Sequence, residues 1–356
     1  MTDIISVGEA LIDLTQNKIP ISNANDNKPE ASFPAFTAFP GGAPANLAVA
    51  AARLGARTAF VGKVGKDFFG NLLKNTLEEN KVDTSSMYME EKAPTTLAVV
   101  SVDKNGERSF SFYRDGSADT LLSLEDMEKC NLFNEAKLYH FGSVSLTHPV
   151  SEGAVKKGID LAKSQGLLIS YDPNYRPALW KNEETAVKAM LSPIPKVDIL
   201  KVSDEELPLL TGSRDPKEGA GILSSMGPAV VLVTLGAKGA FLYCKKNVAA
   251  NSVHSVINRF LSFDEYSAEV PGYPCRVGDT NGAGDTFFGA FLSRIMAGPF
   301  EKTFTKEYLK AAVLFANKAA SVTTGRHGAI PAMPYLKELL GSCSDYKICI
   351  DKKFLE

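Results

Sequence analysis

Short apolar runs of strand length recur along the chain at Ile4–Val7, Thr58–Val61, Lys137–Phe141, Leu167–Tyr171, Val197–Val202 and Val230–Leu235. Segments of helical character lie between and beyond them. Ala45–Leu54 is small and apolar, with Pro44 at its entry and Gly55 at its exit. Phe68–Leu77 follows Asp67, a capping residue type. Val155–Ala162, Thr286–Met296 and Leu309–Thr323 are further helix candidates. A strand that is apolar throughout needs cover on both faces. The alternation therefore predicts an α/β fold, with a mostly parallel sheet between two layers of helices.

One segment departs from this rhythm. Thr95–Arg114 alternates, passes Asn105-Gly106 and alternates again, which is the pattern of an antiparallel hairpin. An α/β core has little use for it, so it is expected to project as a lid. Residues 18–40 are polar and Pro-rich and end at a Gly pair, a second candidate lid segment. Residues 245–268 read as another polar excursion. No linker is long enough to separate independent units. The expectation is one domain over 1–341, a lid from about 13–40 and 90–115, and a tail at 342–356.

Charge and cysteine content narrow the function classes. Lys and Arg number 39 against 41 Asp and Glu, a net charge of -2. Such a balance gives no field to draw the protein to nucleic acid or anionic membrane. No run of 18 apolar residues is present, and the first residues carry acid where a secretion signal would be basic. Five scattered cysteines, 130, 244, 275, 343 and 349, suit unpaired thiols in a reducing cytoplasm. No H-E-x-x-H supports a zinc hydrolase, and no G-x-x-x-x-G-K-[ST] supports a P-loop.

The chemistry concentrates at 278–291, GDTNGAGDTFFGAF, where Gly282-Ala283-Gly284 opens directly into an apolar helix. A helix start offers unpaired N–H groups and partial positive charge, and small residues let a phosphate approach them. Asp285 would repel a merely bound phosphate. It makes sense as a general base beside a transferring phosphoryl group, or else as a helix cap.

This segment resembles the C-terminal signature of the ribokinase-like sugar kinases, the phosphofructokinase-B family. Gly41-Gly42-Ala43-Pro44-Ala45-Asn46, followed by LAVAAARLG and GKVGKDFFG, resembles a second family motif, and TLGAKG at 234–239 a third. The likeness covers roughly residues 3–340. It implies a three-layer α/β/α sandwich with a small β lid and an ATP-dependent carbohydrate kinase. Asp285 is then the base, and the amides of Gly282, Ala283, Gly284 and Asp285 form an anion hole. Asp13, Gly41, Gly42 and Asn46 hold the sugar. Ser203, Thr234, Gly236, Gly239 and Asn317 fall where relatives bind nucleotide. Glu206, in a departure from N-x-x-E that puts Ser203 in the Asn position, is expected to help place Mg2+. Asp279 and Asn281 stand near an expected K+ site facing Thr324–Ala329.

Within the family, DPNYRPALW at 172–180 resembles the fructokinase branch, with Arg176 reaching toward phosphate or sugar. The ribokinase branch carries Asn where Leu11 stands and a Glu that Gly142–Ser145 lacks. Phe112 and Arg114 of the lid hairpin face the same question. Arg114 could neutralise a carboxylate, which keeps 2-keto-3-deoxygluconate as an alternative substrate, with ribose the other. Lys104, Arg108 and Arg114 are too few basic groups for a phosphosugar. The resulting expectation is ATP-dependent phosphorylation of D-fructose in the cytoplasm. It includes a homodimer through the lid, and neither nucleic acid nor membrane as partner. A non-catalytic sugar-binding protein is the alternative outside the class.

Overall fold

The computed structural model describes residues 2–16, 35–102, 108–246 and 256–341. The strands, in chain order, are β1 (Ile4–Val7), β2 (Leu11–Gln16), β3 (Phe36–Gly41), β4 (Thr58–Gly65), β5 (Met87–Glu90), β6 (Leu97–Val102) and β7 (Arg108–Tyr113), then β8 (Leu138–Gly142), β9 (Leu168–Asp172), β10 (Ile199–Ser203), β11 (Val230–Thr234), β12 (Gly239–Lys245) and β13 (Glu265–Pro271).

Nine of them form the central sheet in the order β13-β12-β11-β10-β9-β8-β1-β4-β5. From β11 to β5 every pairing is parallel, while β12 and β13 add an antiparallel edge. Successive residues point to opposite faces. Ile4, Leu138, Leu168, Ile199 and Val230 enter one apolar layer with helices Ala43–Arg53, Ala283–Ile295 and Lys306–Thr324. Their successors Ile5, Tyr139, Ile169, Leu200 and Val231 enter the opposite layer, under Pro149–Ser164 and Pro216–Met226. That two-sided burial is why these strands read as continuous apolar runs.

Local signals act as the sequence suggests. Asp67 accepts the Gly70 N–H at 2.8 Å and caps the helix that follows. Gly42, at φ 100°, turns the chain into helix Ala43–Arg53; a Cβ there would lie 2.5 Å from the Glu9 carbonyl oxygen.

The remaining strands form a second sheet in the order β3-β2-β6-β7. It is mixed: β2 pairs antiparallel with β3 and parallel with β6, and β6 with β7 forms the expected hairpin. The Asn105-Gly106 turn, most of the 18–40 segment and the tail at 342–356 lie outside the described residues. The excursion at 245–268 needs correction at its end. Glu265 onward is strand, paired with β12 from Glu265 opposite Lys245 to Pro271 opposite Gly239. Cys130, Cys244 and Cys275 are free thiols. Among the described residues no helix is long and apolar enough to cross a membrane.

Candidate active site

The carboxyl ends of the central strands, where open α/β sheets place their ligands, carry two cavities. The narrower is polar. It is lined by Glu9, Asp13, Asn46, Arg114, Arg176 and Asp285, with Gly42, Phe112, Asn174 and Asn281 also at its wall. The larger, about 610 Å³, is lined by Thr234, Gly236, Gly239, Ala283, Gly284 and Asn317, with the Gly272–Cys275 loop opposite.

The loop Asn281–Asp285 divides them. Gly282 takes φ 74° and N-caps helix Ala283–Ile295. Thr286 is the first residue whose N–H finds a helical acceptor at this start, Gly282 O, and the Ala283 N–H turns back to Thr280 O. The N–H groups of Gly284 and Asp285 are left without a helical acceptor. Asp285 is not the helix cap, since no side chain caps this helix. Its Oδ2 instead accepts from Asn46 Nδ2 at 2.8 Å. Burial pushes the Asp285 carboxyl above the usual range, against the opposing pull of Asn46, Lys201 and Arg176.

Asp13, on β2, is buried and its pKa is raised to about 6, chiefly by burial. Gly41 packs beneath it rather than lining the cleft: a Cβ there would lie 2.5 Å from Asp13 Oδ2. Asn281, expected near a metal, donates its Nδ2 to Asp13 Oδ2 at 3.3 Å and belongs to the polar cleft. Arg176 makes no ion pair among the described residues, and its charge acts on both Asp13 and Asp285. Arg114 is different. Its guanidinium pairs with Asp119 at 2.7 Å and also reaches Thr147 Oγ1 and Val144 O. It frames the cleft with its charge already balanced.

On the other side, Asn317 donates to the carbonyls of Val270 and Pro271, each at 3.0 Å, fixing the end of β13 beside the larger cavity. Thr234, Gly236 and Gly239 form the β11–β12 turn, so the hairpin and the cavity wall are one structure. Ser203 and Glu206 line neither cavity. They bond each other, Ser203 N–H to Glu206 Oε2 at 2.8 Å and Glu206 N–H to Ser203 Oγ at 3.1 Å, while Glu206 Oε1 accepts the Tyr175 N–H. Asp279 accepts the N–H of Asn281 and of Gly328, tying its own turn to the loop that faces it.

Four groups emerge only from the structure. Lys201, inside β10, pairs with Asp172 at the end of β9 at 2.8 Å, both buried. A Cβ on Gly284 would lie 3.1 Å from Lys201 Nζ, so the ammonium sits against the dividing loop. Burial lowers the affinity of Lys201 for its proton, but Asp172, Glu206 and Asp285 together raise it. Asp172 is pushed to about 6, first by burial. Its Oδ1 is buried without a hydrogen-bond partner among the described residues. Glu9 is 2% exposed, raised to about 7 by burial. Asn174 lines the cleft in the left-handed region, at φ 48°. A lone Lys within the buried run Ile199–Ser203 was the one readable signal, since a charge there needs a partner.

The structure superposes on solved kinases over most of the chain. A fructokinase from Xylella fastidiosa with bound ATP matches with a TM-score of 0.80 at 31% identity, over 95% of this chain and 97% of that one. A fructokinase from Vibrio cholerae O395, solved with fructose, ADP and calcium ion, matches with a TM-score of 0.78 at 30% identity, over 96% and 98%. A double mutant of that enzyme was solved with fructose, ADP and potassium ion. In sequence, fructokinase-1 of Oryza sativa subsp. japonica is 39% identical over 339 residues, 95% of this chain and 96% of the relative. The profile of the pfkB family carbohydrate kinases matches residues 1–336. With its dividing loop, two cavities and ribokinase-like sheet, the chain belongs to the pfkB family of carbohydrate kinases.

Proposed function

We propose that the protein transfers the γ-phosphoryl group of ATP to the 6-hydroxyl of D-fructose. The observation that carries this reading is the position of the Asn281–Asp285 loop. It turns a buried carboxylate toward a polar cleft and Ala283-Gly284 toward a nucleotide-sized cavity. Acceptor and donor meet across one helix start.

Asp13 accepts sugar hydroxyl protons and orients the ring. Asn46 holds Asp285 Oδ2, which leaves Oδ1 for the reacting hydroxyl. A carboxylate kept out of water is a stronger base than a solvated one, and it takes the proton as the oxygen attacks. The N–H groups of Gly284 and Asp285 and the ammonium of Lys201 lie where negative charge gathers on the transferring group. Arg176 lines the cleft, and its charge acts on both Asp13 and Asp285.

A magnesium ion would be placed through water from the Asp172–Glu206 side, because Glu206 spends both oxygens on the Ser203 and Tyr175 N–H groups. Mg2+ keeps several waters and uses one or two carboxylates, and Asp172 Oδ1 is a buried acceptor in want of a donor. When bound, the ion supplies shielding of the nucleotide phosphates. Thr234, Gly236, Gly239 and Asn317 line the nucleoside, while Glu206, bonded to Ser203, braces the loop that follows Asp172 through the Tyr175 N–H. A potassium ion beside Asp279 would stiffen the dividing loop. Lid closure excludes water as a competing acceptor. The unpaired edges of β3 and β7 carry exposed Phe36 and Tyr113, which suits a homodimer through the lid. A cytoplasmic location agrees with the free thiols.

The keto-acid alternative is disfavoured because Arg114 already pairs with Asp119. The test is ADP release with magnesium and a panel of fructose, ribose, 2-keto-3-deoxygluconate, adenosine and fructose 1-phosphate. A preference for any sugar other than fructose refutes the substrate. No turnover with any of them refutes the kinase.

A further inference from the structure

The polar cleft has two chemically distinct ends. The charges acting on Asp13 are those of Arg176, Asp285 and Asp279, which mark the reacting end. Those acting on Glu9 are Arg114 and Asp119, which neutralise each other. Glu9 is held there by its own backbone N–H and by two longer hydrogen bonds. Oε1 accepts the Ala43 N–H at 3.2 Å, and Oε2 accepts from Ser145 Oγ at 3.4 Å. A carboxylate offers about four acceptor positions, so these three contacts leave capacity for a donor from the cleft.

We infer that Glu9, oriented by Ser145, is a specificity residue that reads the non-reacting end of a neutral ketose through its hydroxymethyl and hemiketal hydroxyls. The inference rests on the fructose reading and deepens it. With the 6-hydroxyl at Asp285, a ketohexose presents its C1 and C2 hydroxyls across the ring, at the Glu9 end. Both are donors, and hydrogen bonds from them favour the ionised carboxylate. A carboxylate or phosphate on that carbon would meet the charge of Glu9, with Arg114 already committed to Asp119. The same group that selects a hydroxyl thus rejects an anion.

The experiment compares kcat/KM for fructose and 1-deoxyfructose in the wild type, Glu9→Gln and Ser145→Ala. Gln keeps an acceptor for Ala43 and the size of the side chain. In the wild type, loss of the C1 hydroxyl leaves a buried charged acceptor unmet and is expected to reduce kcat/KM by about 10–100-fold. In Glu9→Gln the fructose value falls by a similar factor and the ratio between the two sugars shrinks to within about 3-fold. Ser145→Ala gives an intermediate ratio. An unchanged ratio in Glu9→Gln overturns the assignment. Equal wild-type values for the two sugars do so without any variant, while leaving the fructokinase reading in place. A wild type inactive on fructose overturns both.

Discussion

Replacing Lys201 by Met separates what this ammonium does for stability from what it does for catalysis. The substitution leaves Asp172 buried beside Glu206 and Asp285 with no cation at 2.8 Å. Removing one member of a buried pair costs about 3–5 kcal/mol. Unfolding entropy of roughly 2.1 cal/mol/K per residue, over 356 residues, gives ~0.75 kcal/mol/K. The melting temperature should therefore fall by about 4–7 °C. Asp172 has an escape, because its pKa of about 6 rises further once Lys201 is gone. The folded variant then holds a proton that the unfolded chain releases. Its stability falls as pH rises through that window, so the deficit relative to wild type is larger at pH 8 than at pH 6. The double variant Asp172→Asn with Lys201→Met removes the stranded charge and should recover most of the melting temperature. It should not recover turnover. Loss of one charge-stabilising donor typically costs about 10²–10³-fold in kcat. Differential scanning fluorimetry and coupled ADP assays on the three proteins settle the matter. If Lys201→Met keeps kcat within about 3-fold, or if the double variant restores kcat together with stability, Lys201 only holds the fold.

Asp285→Asn should lose about 10²–10⁴-fold in kcat while ATP affinity measured by calorimetry stays within a few-fold; near-normal turnover would remove Asp285 as the base. Because burial raises Asp285 and sets Asp13 at about 6, kcat/KM should rise with pH through the region near 6, as both must be ionised. A profile flat from pH 5 to 8 contradicts this. Replacing potassium by sodium, lithium or a bulky organic cation at fixed magnesium and ionic strength should lower kcat/KM; equal rates in all four exclude a cation site at Asp279. Sedimentation at micromolar concentration should give a dimer that Tyr113→Lys dissociates, and a wild-type monomer would end the lid-pairing proposal.

The strands β1, β8, β9, β10 and β11 were legible because burial on both faces demands uninterrupted apolar residues. The helix after Asp67 was legible because its cap is three residues from the N–H it accepts. β13 was not. Its partner fixes it, and Glu265, Ser267 and Glu269 look like loop until β12 is laid alongside. The candidate site divides the same way. Asp285 and the small residues before it announce themselves by chemistry within a few positions. The Lys201–Asp172 pair depends on β9 and β10 lying side by side, 29 residues apart in sequence. Asn281 sits near Asp279 in sequence, yet its amide reaches Asp13, 268 residues away. Glu9 follows β1 directly, but only the fold brings Ser145 and Arg114 to it.

The order of the central sheet also lays the reaction out as a line. Glu9 follows β1, Ser145 follows β8, Asp172 ends β9, Lys201 lies in β10 and Thr234 ends β11, in the same sequence as the strands stand in space. Four strand intervals at ~4.8 Å put the two extremes ~19 Å apart. Substitutions that far apart, with no shared partner, combine additively in free energy. Sugar choice and nucleotide choice can therefore drift independently, each rewritten at its own end of the sheet edge. The Lys201–Asp172 pair over β9 and β10, set against the loop between the two cavities, is the stretch where a change at one end would be felt at the other.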